Sequence, residues 1–184
     1  PGYFGYEAGQ SCVGDHFAWF VENCVPESYE QEARVRGISI HQLLSEKLSS
    51  YKAGASGLLA LDWFNGVRTP LMDFNLNGLI MGMNLLTKPE EIYLSLIEAT
   101  AYGTRMIIEG FEEAGLEVKD ITLSGGIPIK NEMLVQVYSD VCNRKIKVVD
   151  STQSSALGAA ILGAAAAPER ITGFKNANEA AKKL

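Results

Sequence analysis

Residues 119–167 read KDITLSGGIPIKNEMLVQVYSDVCNRKIKVVDSTQSSALGAAILGAAAA, and this stretch decides the fold class. Its apolar pattern predicts a strand at 121–123, a helix at 130–142, a strand at 145–149 and a helix at 154–167. Strands that alternate with helices in this way are typical of α/β domains, in which helices pack on a sheet. The sequence therefore predicts an α/β core.

Before this stretch, the sequence predicts helices first and then a mixture of strands and helices. Helices are predicted at 12–23, 40–51 and 89–114, and strands at 58–61 and 78–83. After the stretch, a helix is predicted at 177–184. Ser11 and Ser39 stand where the N-caps of the first two helices belong. We therefore expect a largely helical lead-in over residues 1–57 and the α/β core over residues 58–184.

Composition argues against two classes of partner. The chain has 184 residues, with 16 Lys and Arg against 22 Asp and Glu, which gives a formal charge of −6. A negative surface repels phosphate backbones, and the most basic segment, 144–147, holds three charges, so no nucleic-acid partner is expected. The longest apolar run, 156–167, falls short of the ~20 residues that cross a bilayer, so no membrane span is expected.

Cysteine and histidine usage points to a reducing compartment and to no metal centre. Three cysteines at scattered positions do not form a disulfide framework, which favours a cytoplasmic location. The chain has two histidines and no C-x-x-C, so a protein-held metal is not expected. We expect His16 to be a partly buried or surface residue and Cys12 to pack in the interior.

Residues 124–131, SGGIPIKN, are the strongest local signal for a ligand. Gly125 and Gly126 follow a predicted strand and let a ligand approach the backbone closely, because no Cβ intervenes. A helix N-terminus next to this turn would favour an anionic ligand such as a nucleotide. The alternative is a tight turn without a ligand, because neither a Walker A loop nor a complete dinucleotide fingerprint is present.

Residues 5–11, GYEAGQS, form a second polar motif. The Glu7 carboxylate and the Gln10 amide are able to hydrogen-bond sugar hydroxyls at a helix entrance, and a polar cap is the alternative. A third motif is the loop 62–73, with Arg68 and Asp73. Arg68 is a candidate phosphate ligand, and an Arg–Asp pair that fixes the loop is the preferred interpretation.

These motifs together resemble the C-terminal half of the FGGY family of carbohydrate kinases. The family signature, Gly-x-apolar-x-Gly followed by acidic and small residues, is matched by GLIMG at 78–82 and then by Glu91, Ser95 and Glu98. GVRTP at 66–70 resembles the glycine–arginine–proline loop of the family. The segments 62–65 and 7–11 are more similar to members that act on L-ribulose than to those that act on glycerol or xylulose. The resemblance covers nearly the whole chain.

The resemblance implies an actin-like ATPase (ribonuclease H-like) lobe, with a mixed sheet flanked by helices and a helical N-terminal segment. It implies transfer of the γ-phosphoryl group of ATP, with Mg²⁺, to the 5-hydroxyl of L-ribulose, a ketopentose, in a protein that forms a homodimer. Gly125, Gly126, Lys130 and Asn131 would then bind ATP or ADP. Glu7 would face the sugar, with Gln10 as its neighbour.

The same resemblance places the catalytic aspartate and both phosphate loops of the family upstream of residue 1. We therefore expect the chain to be a C-terminal domain without the N-terminal lobe, with no catalytic residue of its own and no activity in isolation. Two alternatives remain open. One is a non-catalytic nucleotide-binding or scaffold module with an actin-like fold, and the other is a kinase of the same family that acts on another sugar or polyol.

Overall fold

The computed structural model of the chain describes residues 4–151 and 153–184, so the first three residues of the predicted 1–57 lead-in lie outside the described residues. The helices are α1 (Gly14–Cys24), α2 (Glu27–Arg36), α3 (Ile40–Lys47), α4 (Pro89–Glu113), α5 (Gly126–Lys130), α6 (Glu132–Cys142), α7 (Ser154–Ala166), α8 (Glu169–Thr172) and α9 (Ala177–Lys183). The strands are β1 (Leu59–Leu61), β2 (Leu79–Met81), β3 (Ile121–Leu123) and β4 (Ile146–Val148).

The chain divides into two compact units. The first unit runs to Ile121 and also contains Asn131–Ile146, and the second contains Thr122–Lys130 and Lys147–Leu184. The first unit therefore holds α1 to α4, the β1–β2 pair and α6, whereas the second holds α5 and α7 to α9. The predicted boundary between residues 57 and 58 stays a prediction.

Helix α4 is the centre of the first unit. Pro89 occupies the first turn, where its missing N–H costs nothing, and the Glu91 carboxylate accepts a hydrogen bond from the Lys88 N–H at 2.7 Å. Every residue from Tyr93 to Ala101 is buried, because α1, α3, α6 and β1 all pack against this helix. The second half of the helix is less buried, and Met106 is 52% exposed.

The N-terminal helices follow the predicted pattern, with two differences. Ser39 caps α3 as predicted, since its Oγ accepts from the Gln42 N–H at 3.1 Å. Ser11 does not cap α1: that helix starts at Gly14, and the Ser11 Oγ is buried without a hydrogen-bond partner. The prediction also missed α2, because this charged helix buries only Ala33 and so carries no apolar period.

The strands pair as two separate sheets among the described residues. β1 and β2 are antiparallel, with Ala60 opposite Ile80, which confirms the predicted partnership. β3 pairs with β4, and the Val149 N–H donates to the Leu123 carbonyl at 2.9 Å next to this pair. The prediction of one mixed sheet is therefore wrong for the described part of the chain. Each strand is three residues long and is hydrogen-bonded to one partner strand.

The region after β3 contains two helices where the sequence predicted one. The predicted helix at 130–142 is interrupted at Asn131, whose side chain accepts from the Leu134 N–H at 3.0 Å and so caps α6. The residues before it form the short helix α5. α8 was also not predicted, whereas α7 and α9 lie where helices were expected.

None of the helices formed by residues 4–151 and 153–184 combines the length and the apolar character that crossing a membrane requires.

Candidate functional site

Gln10 lies at the centre of a hydrogen-bonded network within the first unit. Its amide nitrogen donates to Asp62 Oδ2 at 2.7 Å and to the Thr100 carbonyl at 2.9 Å. Its amide oxygen accepts from the Thr104 hydroxyl at 2.9 Å. Both N–H groups of the amide are thus engaged, and one lone pair of the oxygen remains for a further donor. The network fixes the segment that contains Glu7 onto β1 and α4.

Asp62 supplies a buried carboxylate immediately after β1. It is 8% exposed, and burial raises the pKa of its carboxyl, while the hydrogen bond from Gln10 lowers it in part. A Cβ on Gly103 of α4 would collide with the Gln10 amide nitrogen and would lie 3.1 Å from Asp62 Oδ2. The network therefore requires a residue without a side chain at position 103.

The loop 62–73 is folded back on itself and attached to the segment 7–11. Val67 and Asp73 exchange two backbone hydrogen bonds of 2.9 Å, so the middle of the loop is joined to its last residue. The Thr69 N–H donates to the Gly9 carbonyl, and the Gly9 N–H donates to the Thr69 hydroxyl, both at 3.2 Å. The peptide bond between Thr69 and Pro70 is cis.

Arg68 forms an ion pair that differs from the predicted one. Its Nη2 donates to Glu7 Oε1 at 2.6 Å, so the carboxylate partner of Arg68 is a glutamate of the other motif. The Asp73 carboxylate instead accepts from the Asn75 N–H at 2.9 Å, just beyond the end of the loop. Two sequence motifs that were interpreted separately are therefore one site.

A cavity of about 160 Å³ lies beside this network in the first unit. Its polar wall includes Gln10 and Asp62, and its apolar wall includes Trp63, Pro70 and Met106. Arg68 also lines this space, so both charged and apolar side chains surround it.

Three residues of the signature motif, Gly78, Gly82 and Glu98, have structural roles near the site. A Cβ on Gly78 would collide with the Phe64 ring, and Gly82 has φ +96°, with the Gly57 carbonyl 2.8 Å from where its Cβ would lie. Glu98 is buried in α4 and its Oε1 accepts from the Gly54 N–H at 2.6 Å. These positions are explained by close packing and by a buried hydrogen bond.

His16 and Cys12 belong to the interior of the first unit. His16 is 1% exposed, which is more buried than the sequence suggested, and its Nδ1 lies 3.4 Å from the Cys12 Sγ. Burial lowers the pKa of His16 to about 4. Burial also raises the pKa of the Cys12 thiol, so this cysteine packs as expected and is not an activated nucleophile. No group of three or more His, Cys, Asp or Glu that could hold a metal ion is present among residues 4–151 and 153–184.

The glycine pair forms an open turn in the second unit. Gly125 has φ +104°, and no heavy atom lies within 4 Å of the position where a Cβ of Gly125 or Gly126 would be. Lys130 is exposed at the end of α5. The Asn131 side chain caps α6 and belongs to the first unit. A ligand thus has unobstructed access to the backbone of this turn.

Sequence reasoning did not identify the residues of α4 that hold Gln10. The sequence patterns used above single out neither Gly103 nor its neighbours Thr100 and Thr104. The signal that marks them is an i, i+4 pair of threonines around a glycine on an otherwise buried helix.

Comparison with known proteins shows which family these residues resemble. Residues 1–167 match the profile described as "FGGY family of carbohydrate kinases, C-terminal domain". The chain is 55% identical over 180 residues to a ribulokinase of Bacillus licheniformis, which is 98% of this chain and 33% of that protein. It is 52% identical over 184 residues to a ribulokinase of Anoxybacillus flavithermus, which is all of this chain and 33% of that protein. The chain thus spans about a third of the length of the curated relatives it matches.

Two solved structures share its fold. A xylulose kinase of Rhodospirillum rubrum superposes with a TM-score of 0.67 at 23% identity, over 90% of this chain and 32% of that one. A Plasmodium falciparum glycerol kinase, solved with ADP, superposes with a TM-score of 0.63 at 23% identity, over 83% of this chain and 28% of that one.

Proposed function

The chain belongs to the FGGY family of carbohydrate kinases, and we propose that it is the C-terminal lobe of an ATP-dependent ribulokinase. The observation that carries this proposal is the 55% identity to a ribulokinase over 98% of the chain. The proposed reaction is transfer of the γ-phosphoryl group of ATP to the 5-hydroxyl of L-ribulose.

The proposed fold is an actin-like ATPase lobe of the ribonuclease H-like type. It is supported by the mixture of helices and strands in the chain and by the superposition on two sugar kinases. We also propose a homodimer in the cytoplasm. The three free cysteines, Cys12, Cys24 and Cys142, support a reducing compartment.

The proposed sugar-facing residue is Glu7, with Gln10 as its neighbour. The Glu7 side chain is 75% exposed, so its carboxylate is accessible to the hydroxyls of a ketopentose. Gln10 has three internal hydrogen bonds, and a contact with the sugar would use the remaining lone pair of its amide oxygen. Gln10 would therefore contribute mainly by fixing the segment on which Glu7 stands.

The proposed nucleotide-binding residues are Gly125, Gly126, Lys130 and Asn131. The open space at the two glycines fits the close approach of a nucleoside to the backbone. Lys130 would offer a cation at the end of α5, and the amide nitrogen of Asn131 would offer donors. The role of these residues is to bind and orient ATP, because phosphoryl transfer depends chiefly on positioning and on charge stabilisation.

The described residues do not form a cluster that would hold a magnesium ion by protein side chains alone. No group of three or more His, Cys, Asp or Glu that could hold an ion is present among them. Mg²⁺ in kinases is usually held by one or two carboxylates together with the phosphates of the substrate. No residue of this chain is therefore assigned to Mg²⁺.

The kinase activity is tested on the protein expressed from its complete gene. ADP formation is measured with ATP and either L-ribulose, D-xylulose or glycerol, and L-ribulose is expected to give the highest kcat/KM. A higher kcat/KM for either of the other two acceptors would replace the proposed substrate. No ADP formation with any of the three acceptors would favour the non-catalytic scaffold alternative.

The nucleotide site is tested by ADP calorimetry with the same protein. Gly126→Val is expected to weaken ADP binding, because the valine side chain occupies the space that the nucleoside would enter. Gly126 has an ordinary φ and no neighbour within 4 Å of its Cβ position, so the variant should fold. Gly110→Val on α4 is the matched control, since position 110 is equally open. If both variants and the wild type bind ADP with equal affinity, the glycine pair is not part of the nucleotide site.

A further inference from the structure

The Glu7 carboxylate is held by a residue from a distant part of the chain. Arg68 Nη2 donates to Glu7 Oε1 at 2.6 Å, and the two residues are 61 positions apart. This bond engages one of the two carboxylate oxygens. Because the Glu7 side chain is 75% exposed, the other oxygen remains accessible to hydroxyl donors. Arg68 thus fixes the orientation of the carboxylate without covering it.

Gly9 makes room for the guanidinium group. A Cβ at position 9 would lie 2.9 Å from Arg68 Nη1 and 3.2 Å from Arg68 Cδ. The arginine side chain therefore lies directly across the backbone two residues after Glu7. A side chain at position 9 would therefore require the guanidinium group to shift from its place beside the carboxylate.

The backbone around Arg68 is fixed as well. Thr69, the next residue, exchanges two hydrogen bonds with Gly9, and Val67, the preceding residue, exchanges two with Asp73. On the other side of the contact, Gln10 holds the segment 7–11 against Asp62 and α4. Both sides of the Arg68–Glu7 contact are therefore held in the first unit by contacts other than the ion pair.

An exposed ion pair of this kind contributes little to folding. The side chains of Arg68 and Glu7 are 48% and 75% exposed, and such pairs have small effects on stability. The number of contacts that hold Arg68 in place is accordingly not explained by stability. It is explained if the orientation of Glu7 matters for a ligand.

We propose that Arg68 is a positioning residue for sugar binding, which acts by holding the Glu7 carboxylate in the orientation that accepts the sugar hydroxyls. This inference rests on the proposed function. It assigns to the family's glycine–arginine–proline loop a role in the sugar site, with Gly9 as the residue that allows the contact.

The test compares variants of the protein expressed from its complete gene, with L-ribulose as the acceptor. Arg68→Gln is expected to raise the KM for L-ribulose on the order of tenfold and to change kcat less. Arg68→Lys should recover part of the loss, because it restores the charge. Gly9→Ala should resemble Arg68→Gln although it retains the arginine. Gly5→Ala is the matched control, since nothing lies within 4 Å of its Cβ position.

A double-mutant cycle separates positioning from a general structural effect. If Arg68 acts through Glu7, then Arg68→Gln adds no further loss in a protein that already carries Glu7→Gln. Losses that multiply in the double variant would overturn the inference. A KM for Gly9→Ala equal to that of Gly5→Ala would overturn it as well.

Amide hydrogen exchange of the peptide that covers residues 5–11 is measured without sugar and without an activity assay. Arg68→Gln and Gly9→Ala are expected to speed exchange there by about threefold or more, whereas Gly5→Ala should not. If the wild-type protein does not phosphorylate L-ribulose, the proposed function fails. The role in sugar binding then fails with it, and exchange tests the contact alone: faster exchange in the two variants supports a contact that orders the segment, and unchanged exchange overturns that as well.

Discussion

At the scale of single residues, the site depends on positions where a side chain is absent. Gly9 admits the Arg68 guanidinium, and Gly103 admits the Gln10 amide. Neither glycine has a positive φ, so both are required for space and not for backbone conformation. The close approach of polar groups in the first unit is thus encoded by missing side chains as much as by the polar residues themselves.

Gly103→Ala is expected to destabilise the chain by about 2 kcal/mol or more, because the new methyl group displaces Gln10 from the buried Asp62 carboxylate. Urea unfolding followed by the fluorescence of Trp19 and Trp63 measures this. Gly110→Ala on the same helix is the control and should stabilise the chain by about 0.5–1 kcal/mol, since nothing lies near its Cβ position. Equal unfolding midpoints for the two variants would contradict the close approach at Gly103.

His16 is expected to make the chain sensitive to mild acid. Its pKa falls from 6.5 to about 4 on burial, so the neutral form is favoured in the folded state. The stability it contributes is complete above pH 6.5 and is lost as the pH falls towards 4, by about 3 kcal/mol in total.

The His16→Leu variant isolates this effect. The difference in unfolding free energy between wild type and variant should change across this pH range and become constant above it. Buried carboxyls such as Asp62 titrate in both proteins, so their contribution cancels in the difference. Stability curves that stay parallel from pH 7 to pH 4 would show that His16 does not titrate in this way.

At the scale of elements, the start of α6 lies at a residue of the proposed nucleotide site. Asn131 interrupts the predicted helix and caps α6, and it is also a proposed nucleotide-binding residue. A cap uses the side-chain oxygen, whereas a contact with a nucleotide would use the amide nitrogen. The two roles are therefore separable by substitution.

Asn131→Ala is expected to cost about 1 kcal/mol of stability, because the Leu134 N–H loses its partner. Asn131→Ser should retain most of the stability, since serine is a good N-cap. If the amide nitrogen also contacts the nucleotide, both variants should bind ADP more weakly by calorimetry. Ser39→Ala, which removes the cap of α3, is the control for loss of a cap elsewhere. Wild-type ADP affinity in Asn131→Ser would leave Asn131 with the capping role alone.

At the scale of the whole molecule, the chain corresponds to about a third of the relatives it matches. The groups proposed for this chain would bind and orient the substrates: Glu7 and Gln10 on the proposed sugar side, and the glycine pair on the proposed nucleotide side.

The 184-residue chain alone is therefore expected to leave L-ribulose unphosphorylated, because no group in it is assigned as the base that accepts the hydroxyl proton. A coupled assay of ADP formation compares it with a reaction without enzyme and with the protein from the complete gene. Nucleotide binding to the chain should be weak, since much of the charge-based affinity for a triphosphate would come from elsewhere. Turnover above the enzyme-free rate would show that the chain contains its own base.

The sequence by itself determined most of the local structure and the family. The α3 cap and the extent of α4 follow from signals within a few residues of each other, which the chain carries irrespective of its environment. Even α2 had local signals, with acidic residues at its start, basic residues at its end and Gly37 with φ +66° after it, although it lacks an apolar period. The family motifs are likewise local patterns.

Only the tertiary structure decided which polar groups meet. Gln10 finds partners 52, 90 and 94 positions away, and Glu7 finds Arg68 61 positions away. Whether such groups come within hydrogen-bond distance depends on how α4, β1 and the loop 62–73 pack, and on the space left by Gly9 and Gly103. Local sequence patterns do not contain this information, because packing between distant elements sets the distances. For the same reason the sequence suggested one sheet, whereas the described strands form two separate pairs.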